Sequence, residues 1–146
     1  MAELQRAVRT PVCADESAES LDALERILAL GSARIINIKI QRVGGLERAR
    51  RMHDRTHAAG LACWLGTMPE LGIASAQGLH LATLPGFRYP TDVESSERWY
   101  VDDLVDPLLQ IDAQGRLHLP PGPGSGFTVN RSKLERYTIQ RVELTA

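Results

Sequence analysis

Short apolar runs alternate with longer amphipathic segments along the first part of the chain. An apolar run at 11–15 predicts a brief strand. Ser20 then offers a helix N-cap, apolar residues recur at helical spacing, and Gly31 can end that helix. The β-branched run at 34–40 predicts a second strand, so the order is strand, helix, strand.

This alternation continues toward residue 91. A second helix is followed by a third predicted strand at 61–66, a largely buried helix over 71–84 and a weaker fourth strand near 86–91. The inner face of the second helix is predicted to consist of Leu46, Ala49, Met52, Thr56 and Ala59. Strands that alternate with helices predict βαβ units, and therefore a parallel sheet.

The pattern changes after residue 91. A short helix is predicted within 98–110, and the run 120–126, rich in proline and glycine, predicts a rigid loop with special backbone angles. That loop lacks the Lys-Ser/Thr pair and the strand-to-helix setting of a phosphate-binding loop, so we expect no nucleotide there. The final stretch 135–144 predicts a strand.

Composition is that of one ordinary globular domain. The 146 residues include 17 basic and 18 acidic side chains, a net charge of −1, which argues against nucleic acid as a partner. No apolar run approaches the roughly 20 residues of a membrane span. The N-terminus lacks the apolar core of a signal peptide, so we expect no membrane partner and a cytoplasmic location. Cys13 and Cys63 are predicted to be buried thiols.

Two charged side chains end neighbouring predicted strands. Asp15 and Lys39 are 24 residues apart, about one strand-and-helix repeat. Strand alternation puts Asn37 and Lys39, with Ile35, on the face opposite Ile36, Ile38 and Ile40 (the isoleucine face), and turns Asp15 to the face of Lys39. Ligands of α/β proteins bind where parallel strands end. The pattern leaves two interpretations open: a structural ion pair, or a metal-binding carboxylate beside a general acid/base lysine.

Four runs carry a resemblance to a known family. They are Thr-Pro-Val-Cys-Ala-Asp-Glu-Ser (10–17), Ile-Asn-Ile-Lys-Ile-Gln-Arg-Val-Gly-Gly (36–45), Gly-Thr-Met-Pro-Glu-Leu-Gly-Ile-Ala (66–74) and Leu-Ala-Thr-Leu-Pro-Gly-Phe-Arg-Tyr-Pro-Thr-Asp-Val (81–93). With the Pro-Gly-x-Gly loop at 123–126, they resemble the enolase superfamily, and within it the muconate lactonizing enzyme subgroup. The branch they resemble contains o-succinylbenzoate synthases and N-acylamino acid racemases.

The resemblance implies a role for each matching position. Asp15 matches the metal-binding aspartate that ends the fifth barrel strand, with Glu16 and Asn37 as its supporting neighbours. Lys39 matches the acid/base lysine that ends the sixth strand. The implied substrate contacts are Gly66, Thr67, Met68 and Glu70 in the seventh-strand loop. Asp92, at the end of the eighth strand, is either a further substrate contact or a turn-forming aspartate.

The implied fold is α/β: the C-terminal half of a TIM (β/α)₈ barrel, strands five to eight, with an extension strand after it. Residues 1–110 are predicted to form the partial barrel, and residues 111–146 a loop and strand extension of the same domain. A complete barrel takes about 250 residues. We therefore expect strands one to four, a second catalytic lysine and two metal carboxylates to lie outside this chain.

The resemblance implies a metal-dependent enzyme that removes a proton next to a carboxylate of a small-molecule substrate. Such enzymes are lyases when they make o-succinylbenzoate, and isomerases when they racemise N-acylamino acids. Mg²⁺ or Mn²⁺ is the implied cofactor, and we expect this chain alone to bind it weakly or not at all, because two anionic ligands are missing. Whether the chain alone is an enzyme is therefore left open.

The alternative interpretation is a half-barrel without catalytic activity that serves as an oligomeric or interaction module. A half-barrel leaves sheet edges unpaired, and unpaired edges favour association with another chain. We therefore expect either a homo-oligomer or an association with the missing N-terminal half.

Overall fold

The computed structural model describes residues 1–119 and 121–144, and these fall into two compact units. The first unit comprises residues 1–68 and 77–93, and the second comprises 69–76 with the described residues from 94 onward. No boundary between these units falls at residue 110, where the sequence predicts the change from barrel to extension. The division into a partial barrel and an extension therefore stays a prediction. Residues 120, 145 and 146 of the predicted loop and extension lie outside the described residues.

A three-stranded parallel sheet organises the first unit. Its strands lie in the order β1-β2-β3, so each new strand joins the edge left by the previous one. Register pairs Ala14 with Ile36 and Ile36 with Cys63. The elements are α1 (Ala2–Ala7), β1 (Cys13–Ala14), α2 (Leu21–Leu30), β2 (Ile35–Ile38), α3 (Leu46–Ala58), β3 (Ala62–Leu65) and α4 (Gly72–Ala82), whose first residues belong to the second unit.

Helix α2 begins and ends as the sequence predicts. The Ser20 side chain accepts a hydrogen bond of 3.1 Å from the Ala23 amide, which satisfies one free N–H of the first turn. Gly31 ends the helix with φ +59°, a left-handed conformation that glycine adopts without a Cβ penalty. The buried face of α2 includes Leu24 and Ile27.

The isoleucine face of β2 lies in the core, as strand alternation predicts. Ile36 and Ile38 are fully buried. The predicted inner face of α3 is wrong at its two ends: Leu46 is 43% exposed, and Ala59 is exposed and lies beyond the last helical residue. His53 is buried on that face instead.

A buried histidine is tolerated in α3 because its ring has partners on both nitrogens. Its Nε2 accepts a hydrogen bond of 3.2 Å from the Gly86 amide, and its Nδ1 lies 2.9 Å from Asp54 Oδ1. The ring also stacks on Phe87, with centroids 5.3 Å apart. Hydrogen bonding and stacking together remove the cost of burying this polar ring.

The predicted fourth strand near 86–91 is reduced to a single parallel bridge between Cys63 and Phe87. The Cys63 amide donates to Gly86 O at 2.8 Å, and the Arg88 amide donates to Cys63 O at 3.2 Å. Pro90 follows two residues later and has no N–H with which to extend the ladder. The segment therefore follows β3 without forming a regular strand.

The second unit contains a two-stranded antiparallel sheet and two short helices. The predicted helix within 98–110 is found slightly earlier, at 96–99. Buried Asp103 accepts hydrogen bonds from the Gly72 amide at 2.9 Å and from Ser96 Oγ at 2.6 Å, and thereby fixes the start of α4. The elements are α5 (Ser96–Trp99), β4 (Val105–Asp106), β5 (Thr128–Val129) and α6 (Arg131–Tyr137).

The predicted strand over 135–144, and with it the extension strand of the expected fold, is wrong. Asn130 caps a helix here, because its side chain accepts a hydrogen bond of 3.0 Å from the Lys133 amide. Helix α6 therefore continues to Tyr137. Residues 138–144 pair with no strand within the described part of the chain, and the side chain of Ile139 is fully exposed.

No helix in the described ranges is long and apolar enough to cross a membrane.

Candidate functional site

Asp15 and Lys39 meet at the ends of two neighbouring parallel strands. Each is the first residue after its strand, Asp15 after β1 and Lys39 after β2. Because the strands are parallel and adjacent, both side chains lie at the same end of the sheet, where the strands have their carboxyl ends. Lys39 Nζ lies 3.7 Å from Asp15 Oδ1, with the two side chains 16% and 31% exposed. The structure thus brings the predicted carboxylate and amine together.

Arg42 is a third charged member of this site, and strand alternation does not predict it. Its Nη1 donates a short hydrogen bond to Asp15 Oδ1. Its Nη2 donates to the backbone oxygen of Asn37 at 2.6 Å. Arg42 lies in the turn after β2, three residues beyond Lys39, and this turn brings its guanidinium back over the strand end. That short spacing from Lys39 is the signal that could have revealed it.

Two cationic groups therefore face one carboxylate. Partial burial raises the pKa of Asp15, but the hydrogen bond from Arg42 and the positive charge of Lys39 outweigh this and hold the pKa below its ordinary value. The Asn37 amide also helps to lower this pKa, although no bond from it meets hydrogen-bond geometry. Asp15 is thus an ionised carboxylate at neutral pH.

Asn37 lies on the same face of the sheet as Lys39, and its side chain is completely buried. Neither its Oδ1 nor its Nδ2 has a hydrogen-bond partner among the described residues. A Cβ on Gly66, the first residue after β3, would lie 2.2 Å from Asn37 Oδ1, so only glycine fits there. The predicted substrate-binding position Gly66 is therefore in close contact with the predicted supporting residue Asn37.

The loop after β3 is tied to the segment that follows α4. Thr67 Oγ1 donates to the backbone oxygen of Asp92 at 3.3 Å, and the Asp92 amide lies 3.5 Å from Leu65 O. Asp92 Oδ1 is buried without a hydrogen-bond partner within the described residues, and Met68 is 46% exposed. Thr67 and Asp92 thus lie together, and their predicted contact with a substrate stays a prediction.

Two further predicted site residues are Glu16 and Glu70. Glu16 follows Asp15 in the chain but is exposed. Glu70 belongs to the second unit. Their roles beside the metal ligand and in substrate contact stay predictions.

The described residues do not by themselves fit a magnesium or manganese ion. Within residues 1–119 and 121–144, no three His, Cys, Asp or Glu side chains come together in a group that could hold a metal. Mg²⁺ demands six oxygen ligands in near-ideal octahedral geometry and usually keeps several waters among them. Asp15 offers one carboxylate, and Arg42 already binds one of its oxygens.

Comparisons with known proteins agree with this fold. The profile of the enolase C-terminal domain-like family matches residues 1–133. An o-succinylbenzoate synthase from Geobacillus kaustophilus is 42% identical over 137 residues, which are 94% of this chain and 36% of that protein. An N-succinylamino acid racemase from Thermus thermophilus is 37% identical over 145 residues, which are 99% of this chain and 39% of that protein.

Solved structures give the same result. An enolase superfamily member from Listeria innocua superposes with a TM-score of 0.88 and 34% identity, over 95% of this chain and 37% of that one. The chain thus spans little more than a third of the length of the relatives that it matches. These findings confirm the resemblance that the sequence motifs carry.

Proposed function

The chain belongs to the enolase C-terminal domain-like family, and from that premise we propose that it supplies one part of an active site for removing a proton next to a carboxylate. In this proposal the first unit corresponds to strands five to eight of a (β/α)₈ barrel. The substrate is an N-acylamino acid or a precursor of o-succinylbenzoate, which are the chemistries named for its relatives. The observation that carries the proposal is the distance of 3.7 Å between Lys39 Nζ and Asp15 Oδ1 at the carboxyl ends of two neighbouring strands.

Lys39 is the proposed proton carrier. In its neutral form the amine accepts the α-proton at Nζ and becomes an ammonium ion. Asp15, 3.7 Å away, stabilises that positive charge. The Lys39 side chain is only 16% exposed, so little bulk water competes for the proton. To complete the cycle Nζ loses this proton again: in the elimination it goes to the departing hydroxyl group, which leaves as water, and in the racemisation it goes to solvent after a group on the opposite face has protonated the carbon.

One base reaches one face of the reacting carbon. Elimination to o-succinylbenzoate needs a single base, whereas racemisation also needs a group on the opposite face. We propose that this second group comes from a part that corresponds to the region of the relatives outside the match with this chain. The same part is proposed to supply the further carboxylates with which Asp15 would hold Mg²⁺ or Mn²⁺; such an ion would supply stabilisation of the negative charge that develops on the substrate.

Reconstitution tests the proposal. The chain is mixed with the part of the Geobacillus kaustophilus relative that it does not match, and formation of o-succinylbenzoate and racemisation of N-succinylamino acids are measured with Mg²⁺ or Mn²⁺. We expect turnover in the mixture and none in either part alone. In a mixture made with Lys39→Arg, turnover should fall by at least about 100-fold, because a guanidinium cannot act as a base.

The matched control is Lys133→Arg, since Lys39 and Lys133 are the only two lysines of the chain. Lys133 binds Asp102 in the second unit at 2.6 Å, and arginine can keep that ion pair. Equal losses in the two variants would contradict the role of Lys39. A mixture with no turnover at any metal concentration would favour the module without catalytic activity.

We also propose that the isolated chain self-associates. Strand β1 forms the open edge of the sheet among the described residues, and unpaired edges template pairing with another chain. On the face of the sheet that carries Asn37, the side chains of Cys13, Ile35 and Trp64 are only half-buried. Light scattering after size exclusion at micromolar concentration should give at least a dimer, and a folded monomer would contradict this.

A further inference from the structure

His53 holds the segment that follows α4 against helix α3. The Gly86 amide donates to its Nε2 at 3.2 Å, and a Cβ on Gly86 would lie 2.6 Å from the same nitrogen, so the backbone lies directly on the ring. The ring also stacks on Phe87, with an angle of 14° between the two planes. His53 is only 3% exposed, so bulk water does not replace its nitrogen as the acceptor of this amide.

These contacts require the ring to be neutral. Because Nε2 accepts the Gly86 N–H, the ring proton is on Nδ1, which lies 2.9 Å from Asp54 Oδ1 and donates to it. A protonated histidine donates from both nitrogens. Two N–H groups would then face each other at Gly86, so the contact as it stands excludes the protonated ring.

The charges around the ring do not remove this conflict. Asp54 attracts a protonated ring, but it is the next residue of the same helix, so this attraction persists when the segment leaves the ring; its side chain is 53% exposed and also binds Arg50 at 3.3 Å. His57 stacks on the other side of the ring, with centroids 5.8 Å apart. The neighbouring elements add Arg88 and the thiol of Cys63, which burial keeps neutral. A positive charge on Arg88, and on His57 once it is protonated, opposes protonation of the ring.

The segment that His53 holds continues into the candidate site. Gly86 O accepts a hydrogen bond from the Cys63 amide at 2.8 Å, and the Arg88 amide donates to Cys63 O at 3.2 Å. Further along, the backbone oxygen of Asp92 accepts from Thr67 Oγ1 at 3.3 Å. Loss of the anchor at Gly86 therefore loosens the segment that places Asp92 beside the loop after β3.

We propose that His53 is a pH-dependent latch, which anchors the segment 86–92 to α3 when it is neutral and releases this segment when it is protonated. The released ring takes up a proton that the anchored ring excludes, so the equilibrium constant for opening rises as the pH falls. Because histidine changes its charge between about pH 5 and 8, one linked proton should increase opening about tenfold from pH 7.5 to pH 5.5. The latch requires no catalytic activity and does not depend on the proposed function.

Hydrogen exchange of the Gly86 amide tests the latch. NMR measures the exchange rate of the full chain at pH 7.5 and pH 5.5, and comparison with the rate of an unprotected amide at each pH gives the protection. Protection of the Gly86 and Cys63 amides should fall about tenfold toward pH 5.5. The amide of Leu24, which donates to Ser20 O in α2, should keep its protection.

Two variants of α3 separate His53 from its neighbour. His53→Gln keeps a side-chain oxygen that can accept the Gly86 N–H but does not titrate, so protection at Gly86 should no longer change between the two pH values. His57→Gln is the matched control, because the exposed His57 side chain has no hydrogen bond to Gly86, and it should retain the tenfold fall. Should His53→Gln not fold, ¹⁵N shifts of the wild-type ring show directly whether Nε2 gains its proton as Gly86 loses protection.

The outcomes are distinct. Unchanged protection of Gly86 between the two pH values, an equal fall at Leu24, or a fall that survives in His53→Gln would each overturn the latch. So would an Nε2 that is protonated while Gly86 stays protected. None of these results depends on turnover, so failure of the latch and failure of the proposed function are separate findings.

Discussion

The two cysteines illustrate how the position of a residue in the sheet sets its chemistry. Burial, which is complete for Cys63, raises the pKa of its thiol to about 12. Burial, followed by the negative charge of Asp15, also raises the pKa of Cys13, which is only half-buried. The sequence predicts both as buried thiols. The prediction is confirmed for Cys63 and only in part for Cys13, which lies on the face of the sheet that carries Asn37 and is half-buried.

Alkylation should therefore distinguish the two thiols. At pH 8 a thiol of pKa about 12 has roughly one thiolate in ten thousand molecules, and only the thiolate reacts. In the folded chain, iodoacetamide should modify Cys13 well before Cys63, and raising the pH to 9 should accelerate both reactions. Peptide mass spectrometry gives the two rates, with urea-unfolded chain as the control in which both react alike. Equal rates in the folded chain would contradict the burial of Cys63.

Gly66 should be intolerant of any side chain as long as Asn37 is present. A Cβ there would lie 2.2 Å from Asn37 Oδ1, and Asn37 is fully buried and cannot move to solvent. Gly66→Ala should lower the free energy of unfolding by about 1–3 kcal/mol. In an Asn37→Ala background the same change should cost close to nothing, as measured by urea unfolding of all four proteins. Purely additive losses would argue against this contact.

Single positions also show why part of the site could not be predicted. Alternation along a strand fixes which way Asp15, Asn37 and Lys39 point, because successive side chains leave opposite faces. Arg42 lies in a turn, where no such period applies, and its long side chain reaches back to the strand end. A periodic argument therefore identifies the residues of the strands and misses those of the turns.

Elements with strong local signals are the ones that the sequence predicts correctly. Helix α2 combines a serine cap, apolar residues at helical spacing and a left-handed glycine at its end. The stretch 135–144 has an apolar pattern but no neighbouring strand in the described chain. Strand pairing depends on a partner elsewhere in the sequence, whereas the Asn130 cap is local, and here the local signal determined the structure.

The N-cap of α2 offers a direct test of such a local signal. Ser20→Ala removes the acceptor of the Ala23 amide and should lower the free energy of unfolding by about 1 kcal/mol. Ser95→Ala is the matched control, because Ser95 precedes α5 without a side-chain cap hydrogen bond, and it should be nearly neutral. Urea unfolding of both variants measures the difference. Equal effects would show that the cap bond contributes little.

For the whole molecule, short motifs identify the family more readily than any periodic pattern. The runs around Asp15, Lys39, Gly66 and Asp92 carry residue identities that a helix or strand does not require. They therefore point to a family that the match over residues 1–133 then confirms. The division into two compact units could not be predicted in this way, because it depends on contacts such as that of Asp103 with Gly72, which are 31 residues apart.

Exchange of the α-proton tests the central claim most directly. The reconstituted mixture is placed in D₂O with the separate enantiomers of an N-succinylamino acid, and NMR follows replacement of the α-hydrogen by deuterium. Because Lys39 approaches the carbon from one face, Lys39→Arg should slow exchange of one enantiomer by at least about 100-fold and leave the other much less affected. Undiminished exchange of both enantiomers in Lys39→Arg would show that Lys39 does not carry the proton.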